Sequence, residues 1–366
     1  MDNTQIIEKL RDLKEKVKSK QGRLFFFVAD TQGTPMASIE YIYRIAKILH
    51  DDGHLVFMLH EKEKFIGVRD WMGEEYSNLT HISLTTMNDN KNFQITGADT
   101  FFIPELYADF FKKLWESKLP SDTVIICQSH TFVFKYLNAS ESWSYYNIDE
   151  VITTSNKMKS FLEEYQRTKN IYVVNPPITS EFSVATEPQK PIISIISRVP
   201  EDIERVAKLF YQKYPIYSWV TFRTLGNMKK ENFAQTLKET CVAVWLDDYS
   251  SFGTFPLECM ASGVPVIVKI PDLIPEWAEE FNPQDSSIKL SDNAIYVSNI
   301  LAMPDYIAKF LEAWFLGDVP DTLYKNMKTT AAKYSEENFK EQTKRTFEKI
   351  FERKLGKIDQ TIKKYE

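Results

Sequence analysis

Cysteine is scarce. Cys127, Cys241 and Cys259 are the only three in 366 residues; they lie far apart or inside apolar runs, with no C-x-x-C pair among them. That excludes a disulfide framework and a thiolate metal knuckle, and it leaves reduced core thiols of the kind expected in a cytoplasmic protein. No G-x-G-x-x-G follows a strand-like run, which argues against a nicotinamide-type dinucleotide site. The five histidines, His50, His54, His60, His81 and His130, show no ligand spacing backed by a carboxylate, so no metal is expected. No run approaches the ~18 apolar residues of a membrane-spanning helix, and the charged first residues lack the apolar core of a secretory leader. Basic residues are outnumbered, giving a net charge of −6, which argues against a nucleic-acid partner. There is neither an internal repeat nor a low-complexity tract. Glycine supplies only 11 residues, so each one lying between a strand and a helix carries more weight.

What is present is an ordinary globular composition, 43% hydrophobic and 26% charged, in a chain long enough for two domains with a core each. Residues 4–20 place Ile6, Ile7, Leu10, Leu13 and Val17 at helical spacing among lysines. This predicts either a surface helix packed on the first domain or a weakly basic helix lying on an anionic membrane; Glu8, Asp12 and Glu15 dilute the charge and favour packing. Strands are expected at Leu24–Val28, Leu55–Leu59, His81–Leu84, Thr100–Ile103, Thr123–Cys127, Val151–Thr154 and Ile171–Val174, with helices at about 39–49 and 157–165. Pro176, Pro177, Pro188 and Pro191 punctuate a stretch poor in apolar residues, which marks an interdomain linker. Beyond it come strands at Ile192–Ile196, Cys241–Leu246, Val264–Ile270 and Ala294–Val297. Helical periodicity returns over 304–316 and about 321–354, before a charged tail.

The densest local signal is Asp247 to Val268. Two apolar runs suited to buried parallel strands flank a polar loop and a short helix. Pro256 fits the first turn of that helix, Gly263 its end, and Pro265 stops it. Gly253 would let the backbone approach a ligand, while the following helix aims unpaired N–H groups and a positive dipole end at the loop. That is an anion site suited to a phosphate. The dipole contributes only about 0.3–1 kcal/mol per charge, so a diphosphate also needs cationic side chains. Glu258, one turn on, could accept hydrogen bonds from a ribose. The competing reading is a plain strand–helix–strand unit whose glycine is a turn and whose glutamate is solvated.

The segment Ser250 to Ile267 resembles the E-x7-E segment of the retaining, GT-B-fold glycosyltransferases (glycosyltransferase family 4-like). Phe252, Gly253, Pro256, Leu257, Glu258, Met260, Ala261, Gly263, Pro265, Val266 and Ile267 all fall on the family pattern. The resemblance implies sugar transfer from a nucleotide donor with retention at the anomeric carbon. It assigns Glu258 to the donor ribose and puts Ser250 in place of the first glutamate, which touches the donor sugar. A hydroxyl there can hydrogen-bond a sugar but carries no charge. Ser251, Phe252, Gly253 and Thr254 become the donor loop. The resemblance further maps a donor-sugar histidine onto His130, a Gly-bearing loop onto Gly33 and Thr34, and a diphosphate-binding arginine onto Arg198. The family's lysine about five residues on is missing, since Asp202 and Ile203 occupy that neighbourhood. Arg223 is the expected substitute, against the alternative of a surface ion pair; Lys229 and Lys230 come next. The Pro275-Glu276 turn corresponds to one that closes over the donor. Asp247-Asp248 reads as loop polarity rather than a metal pair, because enzymes of this fold hold the diphosphate without a divalent ion.

The expected architecture is therefore α/β and GT-B: two Rossmann-like doubly wound domains facing a cleft, with a C-terminal helix crossing back to the first. The boundaries are 1–182 with the extra helix 4–20, 190–334, and 335–366. The expected activity is a metal-independent retaining glycosyltransferase with no cofactor, using a UDP- or GDP-sugar and a glycan, lipid-linked or protein acceptor by front-face displacement. Nucleic acid is not expected as a partner. The expected location is the cytoplasm, with peripheral membrane contact through the N-terminal helix as the less favoured alternative to its packing on the first domain. A catalytically inactive scaffold subunit and a sugar-nucleotide epimerase stand as alternatives, the first because Ser250 and the missing lysine both fall in the donor site.

Overall fold

The computed structural model describes residues 3–30, 35–62, 72–90, 93–135, 137–186, 188–226, 228–278, 281–282 and 287–366. The chain divides into two compact units, Met1–Asn175 with Phe339–Glu366, and Pro176–Asn338.

In the first unit, β1 (Arg23–Phe27), β2 (Leu55–His60), β3 (Thr80–Ser83), β4 (Thr100–Pro104), β5 (Asp122–Cys127), β6 (Glu150–Thr153) and β7 (Asn170–Val173) form a parallel sheet ordered β3-β2-β1-β4-β5-β6-β7. Its central strands are apolar on both faces, as expected where helices cover both sides. Phe26 stacks on Phe102 at 4.5 Å and Phe25 on Phe101 at 4.9 Å, so neighbouring strands are registered by ring contacts as well as by their ladders. The covering helices are α1 (Asn3–Lys18), α2 (Ala37–Asp51), α3 (Leu84–Asp89), α4 (Ala108–Glu116) and α5 (Asn156–Tyr165). Leu84, expected to close a strand, instead opens α3, because the Ser83 hydroxyl accepts the Thr86 N–H at 3.0 Å as an N-cap.

The second unit holds a parallel sheet of β8 (Lys190–Ile196), β9 (Thr221–Thr224), β10 (Thr240–Trp245), β11 (Val266–Lys269) and β12 (Ile295–Val297) in the order β12-β11-β10-β8-β9. Its helices are α6 (Pro200–Lys213), α7 (Lys230–Lys238), α8 (Thr254–Ala261), α9 (Met303–Leu316) and α10 (Asp321–Ala332). Strand order reverses between β1 and β4 in the first sheet and between β8 and β10 in the second. In open α/β sheets, the crevice beyond the carboxyl ends at such a reversal is where ligands bind.

The last helix, α11 (Glu336–Tyr365), packs on the first unit. Phe339, Phe347 and Ile350 join the core of the first sheet, and Phe347 lies 5.1 Å from Phe102. Gln342 and Asn175 exchange hydrogen bonds of 2.8 and 3.0 Å. The sequence reading ended this helix near Lys354 and left a charged tail. The helix continues because Ile358 and Ile362 extend the same stripe and bury against Ile7, Leu10, Leu13 and Val17 of α1. That contact agrees with the favoured reading of residues 4–20 as a surface helix packed on the first domain, its apolar stripe being used inside the protein. Lys14 pairs with Asp359 at 2.5 Å beside it. Among the described residues no helix is long and apolar enough to cross a membrane.

Phe347→Ala is expected to destabilise the first unit by about 3–5 kcal/mol in urea unfolding, because it empties a fully enclosed ring site. Tyr365→Ala, at the exposed end of the same helix, should change stability by less than about 0.5 kcal/mol.

Candidate functional site

The reversal in the second sheet brings the loop after β8 beside the loop after β10. Arg198 comes from the first loop and Asp247 from the second, and their Nε–Oδ2 distance is 3.0 Å. The guanidinium side chain is 54% exposed while the aspartate side chain is 11% exposed, so the arginine reaches outward from a buried anchor. The other oxygen of Asp247 accepts the Tyr249 N–H at 2.9 Å and holds the loop. Asp248 pairs with Lys269 at the end of β11. Each member of the Asp247-Asp248 pair thus has a cation of its own. Lys269 escaped the sequence reading; the available signal was a lysine ending an otherwise apolar strand, at the ligand-facing edge of the sheet.

After Asp248 the chain turns through Gly253, which has φ +69°. A Cβ on Gly253 would stand 2.7 Å from Cη2 of Trp245, the last residue of β10. The sequence reading reserved that space for a ligand; the indole fills it, and the glycine is required both by its backbone angle and by the ring. The Gly253 N–H donates to the Ser250 hydroxyl at 3.0 Å. Ser250, expected to touch a donor sugar, therefore closes its own turn. Ser251 is fully buried and Phe252 nearly so. The Phe252 ring stands edge-on to Tyr334 at 5.3 Å, and its carbonyl accepts Trp277 Nε1–H at 2.5 Å. Asn293 then donates to the Trp277 carbonyl at 2.7 Å. These two loop residues support the turn from beneath; their side chains do not line an open site.

The helix that follows is oriented by this turn. Gly253 is the N-cap of α8 and has no side chain with which to cap it; the first N–H groups of a helix lack partners within the helix and suit an anion. Thr254 opens the helix half-buried, Pro256 lacks a donor, and Glu258 stands half-buried one turn along. Gly263, at φ +70°, ends it in a left-handed cap, with Val264 N–H donating to the Cys259 carbonyl at 2.9 Å.

Arg223 does not join this group. It lies on β9, and its Nη1 is 3.2 Å from Glu239, which also pairs with Lys190 at 2.9 Å. Glu239 precedes β10 and Lys190 begins β8, so Arg223 is turned toward the amino ends of the strands, and the expected substitution for the missing lysine fails on geometry. Lys230 lies 5.9 Å over the Phe182 ring.

In the first unit, His130 opens a short turn just past β5, half-buried, its ring edge-on to Phe161 at 6.0 Å. Gly33 and Thr34 lie outside the described residues. Beside His130 stands a group the sequence reading missed. Glu105 follows β4 at the strand-order reversal; it is 2% exposed, its Oε1 accepts the Ser129 N–H at 2.8 Å, and its Oε2 has no hydrogen-bond partner. Burial pushes its carboxyl up to about 7, against the pull of the Ser129 and Gln128 N–H groups. The signal was an acid placed directly after a strand that is apolar but for its opening threonine. Among the described residues no three His, Cys, Asp or Glu side chains gather as a metal site requires.

No family model matches the chain. It is 24% identical over 188 residues to an alpha-1,6-glucosyltransferase of Actinobacillus pleuropneumoniae serotype 7, covering 50% of this chain and 57% of that protein. The chain therefore matches little more than half the length of that relative. Two solved structures align over nearly the whole chain. Sucrose-phosphate synthase from Thermosynechococcus elongatus gives a TM-score of 0.62 at 13% identity, covering 90% of this chain and 99% of that one. The fold is GT-B. A mutant TarM of S. aureus, solved with fondaparinux, alpha-GlcNAc-glycerol and UDP, also gives 0.62, at 10% identity over 89% and 99% of the two chains. In this GT-B chain both strand-order reversals carry polar side chains at their carboxyl ends, Arg198 and Asp247 in one unit and Glu105 in the other.

Two measurements probe these local structures. Gly253→Ala is expected to cost about 2 kcal/mol or more in urea unfolding, from the left-handed backbone and the indole together. Gly226→Ala, where nothing lies within 4 Å, should stay within about 0.5 kcal/mol. Glu105 binds its proton more tightly folded than unfolded. Its contribution is whole below the ordinary value of 4.5 and declines as pH rises to about 7. Wild type should therefore lose on the order of 3 kcal/mol relative to Glu105→Gln across that window and stay level above it.

Proposed function

We propose that the protein is a retaining glycosyltransferase that moves a sugar from a UDP- or GDP-linked donor to a glycan, lipid-linked or protein acceptor. One observation carries this reading. At the reversal of the second sheet, an outward arginine is paired to Asp247 at one end of a loop whose other end, Gly253, starts a helix, with a half-buried carboxylate one turn further along. A leaving diphosphate gathers negative charge as its bond to the sugar breaks. A preorganised guanidinium and backbone N–H groups stabilise that charge more in the transition state than before it. Arg198 would exchange Asp247 for a phosphate oxygen, and Glu258 would accept the ribose hydroxyls. Ser250 carries the position of the family's first glutamate in the E-x7-E pattern. At the carboxyl edge of the first sheet, His130 would contact the donor sugar, and the rest of that edge, with Glu105, would take the acceptor side of the chemistry.

The relatives support the reading by their names: one is an alpha-1,6-glucosyltransferase, and the TarM structure holds UDP. Helix dipole and arginine serve the diphosphate in this reading without a divalent ion. The three buried free cysteines suit a cytoplasmic setting. A second reading, a nucleotide-binding scaffold without transfer activity, is favoured by one detail: the Ser250 hydroxyl is already engaged by Gly253.

Calorimetry with UDP and GDP tests the proposal. One of the two should bind, Arg198→Ala should weaken it by about tenfold or more, and EDTA should leave it unchanged. Binding followed by transfer of a sugar with its anomeric configuration kept supports the enzyme. Binding without transfer or donor turnover across an acceptor panel supports the scaffold, and an isomerised donor the epimerase. No binding of either nucleotide overturns both nucleotide-based readings.

A further inference from the structure

The first unit has a second concave site, at the edge of its sheet away from Glu105 and His130. The opening residues of β4, β5 and β6, Thr100, Asp122 and Glu150, form the floor of a cavity of about 730 Å³, within the ~300–1,000 Å³ range of small-molecule pockets. Two of its carboxylates face cations. Lys354 Nζ lies 3.1 Å from the Asp122 carboxylate and donates to the carbonyls of Ala98 and Asp99 at 3.0 and 2.8 Å. Glu150 Oε1 has Arg353 Nε at 3.6 Å and Lys357 Nζ at 3.8 Å. Glu150 is only 6% exposed, yet its Oε2 has no hydrogen-bond partner, an arrangement that native interiors rarely leave standing without a purpose. At the rim, Trp115 is 41% exposed, with Tyr146 edge-on at 5.5 Å and Tyr145 at 6.0 Å behind it. Two further lining residues, Lys118 and Asn147, hold left-handed backbones at φ 49° and 58°. Both end helical segments, Asn147 after the turn Trp143–Tyr146 and Lys118 after α4, and so fix the loops at the cavity wall.

We propose that this cavity binds a neutral hexopyranose, as a monosaccharide or as one unit of a longer saccharide, separately from the site on the second unit. The lining mixes both signs, Glu116, Asp122, Asp149 and Glu150 with Lys118, Lys354 and Lys357, so a phosphate meets carboxylates and an amine meets ammonium groups, and neither ion is singled out. A pyranose ring combines what the walls lack and present: hydroxyl donors for Glu150, hydroxyl acceptors for Lys357, and a flat C–H face for the open side of Trp115. The inference uses first-unit residues alone and does not rest on the nucleotide-sugar reading.

Fluorotryptophan NMR of the full chain, with methyl glucoside and methyl N-acetylglucosaminide as probes, tests it. The Trp115 resonance should move with at least one probe, with a Kd on the order of 1 mM. Calorimetry should show that sugar bound at least ~10-fold more weakly by Trp115→Ala and by Glu150→Gln. Unchanged urea unfolding of the two variants identifies that loss as local. A Trp115 resonance that stays put at about 50 mM of both sugars overturns the proposal. So does binding that persists undiminished in a folded Trp115→Ala protein.

Discussion

The second unit depends on a contact with no room in it: Gly253 against the indole of Trp245, with the backbone at a positive φ. The strand must end in a large flat ring, and the turn must fold over that ring without a Cβ. Once both hold, the Gly253 N–H is taken by Ser250, the Phe252 carbonyl is pinned by Trp277, and the first turn of α8 lies just beyond. The helix N-terminus is thereby fixed without a capping side chain. An anion bound there would meet groups that need little reorganisation, the condition under which electrostatic stabilisation is strongest.

The same logic explains why Arg198 is held by a buried aspartate rather than left to solvent. A long side chain loses rotamer freedom when it takes up one position, and Asp247 bears that cost before any ligand arrives. The ion pair is also a competitor, because a phosphate must displace the carboxylate from the guanidinium. In the first unit the counterpart is Glu105, whose one satisfied oxygen fixes the Ser129 N–H next to His130 while the other stays unpaired. A carboxyl held near neutrality by burial can exchange a proton at working pH, and such groups collect at functional sites.

Much of the architecture was legible because buried parallel strands write themselves as apolar runs and helices as 3.6-residue stripes. Cys241–Leu246 and Val264–Ile270 could be read that way, and Gly263 as a helix end. What failed depended on contacts distant in sequence. Lys354 reads as the start of a charged tail, but its ammonium finds two carbonyls, the Thr100 hydroxyl and Asp122 in the first sheet. The stripe therefore continues through Ile358 and Ile362. Arg223 was near enough in sequence to serve a diphosphate, yet strand direction turns it toward Glu239. Glu105 gave no motif at all; its character comes from burial, which one sequence does not display. Ser251 and Phe252 were expected in a donor loop, and the structure buries their side chains.

The central claim is that Arg198, the start of α8 and Glu258 together grip a nucleoside diphosphate. A crystal structure of the protein soaked with UDP or GDP tests it most directly. The account predicts the diphosphate against the Thr254 and Phe255 N–H groups, Arg198 turned from Asp247 to a phosphate oxygen, and Glu258 within hydrogen-bond reach of the ribose. A nucleotide bound elsewhere, with the Arg198–Asp247 pair intact and Glu258 untouched, would contradict it.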